Sequence, residues 1–266
     1  MQFDSAGKVS LDHIYTQPDP RAYFASLRGL DYRIPELAKP HFARLIEEVR
    51  TGSPAGGVTV VDVGCGYGVN AALLRCDCTM DYLYEHYGTM GPDAPREVVV
   101  ARDHELLRSR VVADPTTFVG LDVSAAALCY AEEAGFIDVA IRADLERDDP
   151  TDDQRAILGS ADLVVSTGCL GYVTERTLVR IADACAAPSV MAHTVLRIYS
   201  YEPSIKALAD LGYATTTVDG YLRQRRFVSP EEQSLVLDTL AEAGVDPTGL
   251  ESEGWLYAQL FISRPT

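Results

Sequence analysis

Basic residues are scarce in this chain. It carries 23 Lys and Arg against 39 Asp and Glu, a formal net charge of -16 over 266 residues. Binding a polyanion requires a basic patch or stripe. The one visible cluster, Arg223, Arg225 and Arg226, reads as a charged turn or hairpin. A nucleic-acid partner is therefore not expected. Long apolar runs are missing too, since none approaches the roughly 20 residues of a membrane-spanning helix, and no membrane partner is expected. The six cysteines, at 65, 76, 78, 129, 169 and 185, lack the paired spacing of a disulfide framework. The opening Met1-Gln2-Phe3-Asp4 lacks the basic-then-apolar order of a signal peptide. These absences together suggest a cytoplasmic protein with reduced thiols. Cys76-Asp77-Cys78 has the form of half a metal site, but no second Cys or His pair follows closely, so no metal is expected. Internal repeats and low-complexity tracts are also absent.

What is present is dominated by one stretch, Val58 to Leu74. It opens as a β-branched run suited to a strand buried on both faces. It then passes through Gly64, Gly66 and Gly68 and continues as a small-residue and leucine run of helical character. A glycine-rich strand-to-helix turn lets backbone approach a ligand, and the helix that follows offers unpaired N–H groups. A nucleotide-like cofactor at the carboxyl edge of a sheet is the expectation.

The rest of the chain supports such a sheet. After residue 115, strand-like runs begin near Thr117, Ile137, Ala161 and Val190 and alternate with helical segments, several opened by Ser124, Thr174 or Ser229-Pro230. Extra strands are expected within 213–228 and a final one from Trp255 to Ile262. This alternation implies an α/β, doubly wound, mostly parallel sheet. Two segments interrupt it. Residues 1–55 read as an N-terminal helical lid, with a short helix from Arg21, a second from Pro35 to Arg50 and a loop over 51–57; residues 56–266 read as the cofactor-binding domain. Residues 75–115 read as an inserted helical pair, 81–87 and 97–112, joined by a turn at 91–95. Insertions on rigid sheets often bind ligands or partners, which leaves room for a homodimer. The lid and the insertion are expected to close over the carboxyl edge.

Two cofactor classes use a sheet of this kind. A dinucleotide fingerprint wants Gly-x-Gly-x-x-Gly, whereas the glycines here are one residue tighter, with Val at 69. That makes an NAD(P)-dependent oxidoreductase the weaker reading. The string Val61-Asp62-Val63-Gly64-Cys65-Gly66-Tyr67-Gly68 resembles motif I of class I S-adenosylmethionine-dependent methyltransferases. The resemblance extends over about 58–262. It implies a seven-stranded sheet of order 3-2-1-4-5-7-6, with the last strand antiparallel, and S-adenosyl-L-methionine as cofactor. Residue by residue, it assigns Asp62, Gly64, Cys65, Gly66 and Gly68 to the cofactor loop. Asp122 with Val123, at the end of the second strand, matches the ribose acid, and Asp144-Leu145 matches the adenine segment. Ser166-Thr167 matches the fourth-strand motif that faces the methyl group. The interval from Asp62 to Asp122 exceeds the roughly 20 residues usual between turn and ribose acid; the insertion accounts for the excess.

The acceptor is less readable. The Asn/Asp-Pro-Pro-aromatic motif of DNA amino-methyltransferases is absent at Ser166-Thr167-Gly168-Cys169-Leu170-Gly171-Tyr172. A small molecule, such as a specialised metabolite, or a peptide remains as the O- or N-acceptor. Methyl transfer is an in-line displacement that mainly needs alignment, with a base only where a proton must leave. Candidate catalytic residues near the ends of the fourth and fifth strands are Tyr172, His193, Arg197 and Tyr199, with Arg197 suited to a substrate carboxylate. Tyr15, Tyr32 and Arg33 are candidate substrate contacts from the lid. A cofactor-binding protein of other chemistry, or a non-catalytic subunit, stays open.

Overall fold

The computed structural model describes residues 2–52, 57–91, 93–110 and 116–266. Part of the expected 51–57 loop, Pro92 of the expected turn and the last two residues of the expected 97–112 helix lie outside them.

Its centre is an eight-stranded sheet of order β3-β2-β1-β4-β5-β8-β6, with β7 also pairing β8. The strands are β1 (Val58–Val63), β2 (Thr116–Asp122), β3 (Val139–Arg142), β4 (Leu163–Leu170), β5 (Val190–Leu196), β6 (Tyr213–Thr217), β7 (Leu222–Arg226) and β8 (Trp255–Pro265). The first five run parallel, and β8 runs antiparallel to β5. The expected doubly wound sheet is therefore present with one more strand than anticipated. β6 and β7 run the same way along the outer edge of β8, one after the other. They form a single edge strand interrupted at 218–221.

Helices cover both faces. On one lies α2 (Ile34–Gly52), whose Phe42, Leu45 and Ile46 pack with Val60, Phe118 and Val165. So the second helix of the N-terminal segment covers the sheet itself. On the other face lie α7 (Asp152–Leu158), α8 (Glu175–Ala184) and α9 (Glu202–Asp210), whose Leu158, Ile181 and Leu208 meet Val61, Val164 and Met191. Thr151 caps α7 with a reciprocal Gln154 contact, a start signal that the sequence reading passed over.

The inserted pair forms α4 (Met80–Gly88) and α5 (Arg96–Arg110). It does not close over the carboxyl edge as expected. It packs against α1 (Arg21–Arg28) and α6 (Ala125–Glu133) in an aromatic cluster. Phe24 stacks on Tyr87 at 4.4 Å between centroids and meets Tyr84 edge-on. Such pairs contribute about 0.5–1.5 kcal/mol beyond area burial. At the centre Asp103 is fully buried. It pairs with His86 Nε2 at 2.7 Å and accepts from the Tyr87 hydroxyl at 2.9 Å and from the Tyr130 hydroxyl. One carboxylate thus ties α4, α5 and α6 together. The insertion is a buttress behind the N-terminal segment.

This arrangement makes Asp103 a stability determinant. Asp103→Ala strands three buried polar partners, and a loss of about 3 kcal/mol or more is expected in urea unfolding. Tyr87→Phe, which removes one bond, should lose about 1 kcal/mol. A near-neutral Asp103→Ala would contradict the buttress.

Candidate active site

β1 ends at the glycine turn. Gly64, at φ +68, donates to Leu121 O at 2.7 Å, which stitches the turn to β2. A side chain at Gly64 would meet Cys169 Cβ at 2.7 Å, and one at Gly66 (φ +53) would meet the Tyr15 ring at 3.0 Å. Both positions need a left-handed backbone and offer no room, which accounts for glycine. Asp122, the last residue of β2, holds the turn in place. Its Oδ2 accepts from Gly66 N–H and its Oδ1 from Ser124 N–H, both at 2.8 Å.

Above this turn lies a cavity of about 670 Å³ at the carboxyl ends of the strands, within the range of small-molecule sites. Its floor and walls include Gly64, Asp122, Val123, Asp144, Leu145 and Thr167. The β4–β5 register breaks between Ser166 and Leu170, and this bulge turns Thr167, Gly168 and Cys169 into the cavity. The N-terminal segment forms the opposite wall with Lys8, Val9, Leu11, Asp12, Tyr15 and Thr16. That segment is pinned at several points. Val9 N–H donates to Glu232 Oε1 at 2.8 Å, Ser124 Oγ to Tyr15 O at 2.6 Å and the Tyr67 hydroxyl to Ile14 O at 3.0 Å.

Of the residues assigned to a cofactor, Gly64, Asp122, Val123, Asp144, Leu145 and Thr167 line the cavity. Asp62, Cys65, Gly66, Gly68 and Ser166 shape it from beneath. Asp62 is buried. Its Oδ1 accepts from Asn70 at 2.9 Å, while its Oδ2 has no hydrogen-bond partner among the described residues. Burial pushes its pKa up to about 7, against the pull of the Asn70 bond and with the added repulsion of Asp122. Asn70 also reaches Thr167 Oγ1 at 3.1 Å. Asp122 is also raised, by burial first, with the backbone bonds from Ser124, Gly66 and Val123 opposing. Each of its oxygens retains a lone pair for a ligand hydroxyl, and Val123 and Leu145 offer apolar surface on either side. Such acceptors, flanked by apolar surface, match the two hydroxyl donors of a vicinal diol.

The acceptor-side candidates divide. Tyr15, Tyr32 and Tyr172 line the cavity. Arg33 does not: it binds Asp31 and Asp81 and fastens the N-terminal segment to α4. Arg197 is also turned away. It pairs with Glu251 at 2.5 Å, donates to Asp246 O at 2.8 Å and sits over the Tyr221 ring. Tyr199 stands just behind Tyr172, and both hydroxyls donate to Asp4 Oδ2, at 2.6 and 3.2 Å. Burial raises both phenols, so neither serves as a base near neutral pH. His193 lies within the sheet, fully buried. Its Nδ1 is 2.8 Å from Ser166 Oγ and its Nε2 is unpartnered among the described residues. Burial lowers its pKa to about 3, so the ring is neutral. The expectation that His193, Arg197 and Arg33 meet the acceptor is corrected on these grounds.

The sequence reading missed Lys8 and Gln224, which help complete the cavity; Lys8 left a signal as one of three lysines in a chain that otherwise uses arginine. Arg225, read with Arg223 and Arg226 as a charged turn or hairpin, is instead buried in β7 and lines the cavity, because Glu232 pairs with it.

No family model matches the chain, and no curated protein does. Solved structures share the general fold at low similarity. A TehB-like S-adenosylmethionine-dependent methyltransferase from Corynebacterium glutamicum is 15% identical over 82% of this chain and 85% of its own, with a TM-score of 0.41. The [4+2]-cyclase SpnF is 15% identical over 84% and 81%, with a TM-score of 0.41. A geranyl diphosphate methyltransferase, solved with geranyl diphosphate and sinefungin, is 11% identical over 84% and 76%, with a TM-score of 0.47. At these values the likeness transfers no activity; what stands is the strand order and the cavity.

The buried histidine sets a pH dependence. Below pH about 6.5 the unfolded chain protonates His193, whereas the folded chain resists until about 3. Stability from this ring is therefore fully present above 6.5 and falls as pH falls, by about 1.4 kcal/mol per pH unit. Asp62, raised in the fold, works in the opposite sense between about 7 and the ordinary value of 3.8. Urea unfolding of His193→Gln between pH 6 and 4 should therefore differ in slope from wild type by about that amount. Identical slopes would show that the ring titrates freely.

Proposed function

We propose that the protein transfers a methyl group from S-adenosyl-L-methionine to a small-molecule O- or N-acceptor. One observation carries the reading. Asp122, at the carboxyl end of β2, faces the cavity while it holds the glycine turn by Gly66 N–H. A carboxylate there accepts the two hydroxyls of a ribose. Asp62 adds a buried acceptor with one oxygen free among the described residues, which suits a cationic amino-acid tail near the turn. When bound, the cofactor would supply an electrophilic methyl on a sulfonium.

The chain's own residues have distinct tasks in this scheme. Asp122 and Asp144 read the nucleoside, with Val123 and Leu145 against its base. Thr167 and Gly168 form the floor toward the transferred methyl. Within 1–55, residues 8–16 with Leu27 and Tyr32 act as the lid, while α2 covers the sheet of the donor-binding domain at 56–266. Displacement by a well-aligned acceptor needs orientation more than acid–base help. This agrees with a cavity whose tyrosines keep their protons and whose histidine lies elsewhere. A small acceptor fits a cavity of about 670 Å³ and the net charge of -16 better than a nucleic acid does.

Isothermal calorimetry with S-adenosylmethionine tests the donor. Wild type should bind it and not NADH. Asp122→Ala should lose about 10- to 100-fold in affinity, the range of a lost hydrogen-bonding carboxylate. Binding of NADH alone, or unchanged affinity in Asp122→Ala, would overturn the assignment.

A further inference from the structure

The cavity is electrically divided. Its β2–β3 side carries Asp122, Asp144 and Glu146, and its far side carries Lys8 and Arg225, with Asp12 the one carboxylate among the lining residues of the N-terminal wall. Two buried cations facing one cavity stand out in a chain of net charge -16. They are not equivalent. Arg225 is already neutralised, bidentate to Glu232 at 2.7 and 2.9 Å. Glu232 in turn accepts from Val9 and Val228 N–H, so this pair is complete. Lys8 is only 8% exposed. Its ammonium donates to the neutral Tyr172 hydroxyl at 3.1 Å and lies 4.5 Å from that ring's centroid. Among the described residues it forms no ion pair. Asp4 and Asp12 lie equally near in sequence: Asp12 is exposed, and Asp4 already accepts from Ala6 N–H, Lys8 N–H and the hydroxyls of Tyr172 and Tyr199.

A buried ammonium without a direct ion pair carries a desolvation cost of several kcal/mol. Burial and Arg225 lower the Lys8 pKa to about 8, against the pull of the Asp4 and Glu232 charges, which leaves it mostly charged at neutral pH. A second unsatisfied group stands on the same wall. Gln224 is 3% exposed, lines the cavity, and its Oε1 has no partner among the described residues. Gln224 and Tyr32 flank Gly168 at the bulge of β4, where a side chain would meet the Tyr32 hydroxyl at 3.0 Å and the Gln224 amide at 3.1 Å.

On the donor reading above, we propose that the methyl acceptor is a small carboxylic acid that also carries a hydroxyl or amino group. Its carboxylate pairs with Lys8, and its O–H or N–H donates to Gln224. One uncompensated cation suits a monoanion. A phosphate monoester would need a second one, and Glu232 already occupies Arg225. The polarity explains why Arg197, the residue the sequence offered for a carboxylate, is dispensable for this role: Glu251 holds it.

Ligand-observed NMR tests the pairing with a panel of hydroxylated aromatic and aliphatic carboxylic acids. Each is measured beside its primary amide, its phosphate-monoester analogue and its deoxy analogue, with and without S-adenosylhomocysteine. Carboxylates should bind about tenfold tighter than amides. Lys8→Met should abolish that preference and Lys8→Arg should keep it. Gln224→Leu should erase the advantage of hydroxylated over deoxy acids. S-adenosylhomocysteine should bind all three variants as it binds wild type; failure of wild type to bind it would instead count against the donor reading. A panel in which no carboxylate outbinds its amide, a preference for phosphate monoesters, or an undiminished preference in Lys8→Met would overturn the proposal.

Discussion

The Asp122 carboxylate is the constraint on which the site depends. It accepts from Gly66 N–H on one side and Ser124 N–H on the other. The first bond fixes Gly66 within a turn whose three glycines are left-handed. The second sets the start of α6, where Ser124 caps Ala127 N–H. One half-buried acid thus joins β1, β2 and the helix after β2, and still presents oxygens to the cavity. Desolvation raises its pKa while three backbone donors oppose the rise. This balance keeps a half-buried carboxylate available to a ligand.

The second layer of organisation is the support of the N-terminal wall. Residues 8–16 close the cavity but have little secondary structure of their own. Their position comes from elsewhere: from Glu232 on α10 (Pro230–Glu242) to Val9, from Tyr67 to Ile14 and Gln17, and from Ser124 to Tyr15. Behind them, α1 leans on α4 through Phe24, Tyr84 and Tyr87, and Asp103 locks α4 to α5 and α6. The 75–115 insertion therefore serves the site at one remove. Its helices support α1, which stands behind the wall of the cavity.

How much of this was legible in the sequence follows from the range of each interaction. The parallel sheet was, because β-branched runs, glycine turns and caps such as Ser124, Thr174 and Ser229 are local signals; its order came from the resemblance carried by the 61–68 string. The donor wall was too, since Gly64, Asp122, Asp144 and Thr167 fall at strand ends that the alternation predicts. The acceptor wall was not. Arg197 and Arg33 look free in sequence, and only the fold brings Glu251 and Asp81 to them. His193 stands at the right strand, but its place within that strand puts it beside Ser166 beneath the surface. Lys8 and Gln224 lie 216 residues apart in the chain, and no periodicity links them. Extra strands were expected within 213–228, where β6 and β7 lie, but their sharing of one edge was hidden for the same reason: it depends on the long reach of β8.

The central claim is that one cavity, anchored by Asp122 and roofed by residues 8–16, holds the methyl donor. Hydrogen exchange with and without S-adenosylhomocysteine tests it most directly. The account predicts slowed exchange at residues 64–68, 122–124 and 8–16, with the α4–α5 pair unchanged. Protection confined to α1 and α4, or none at the glycine turn, would contradict it.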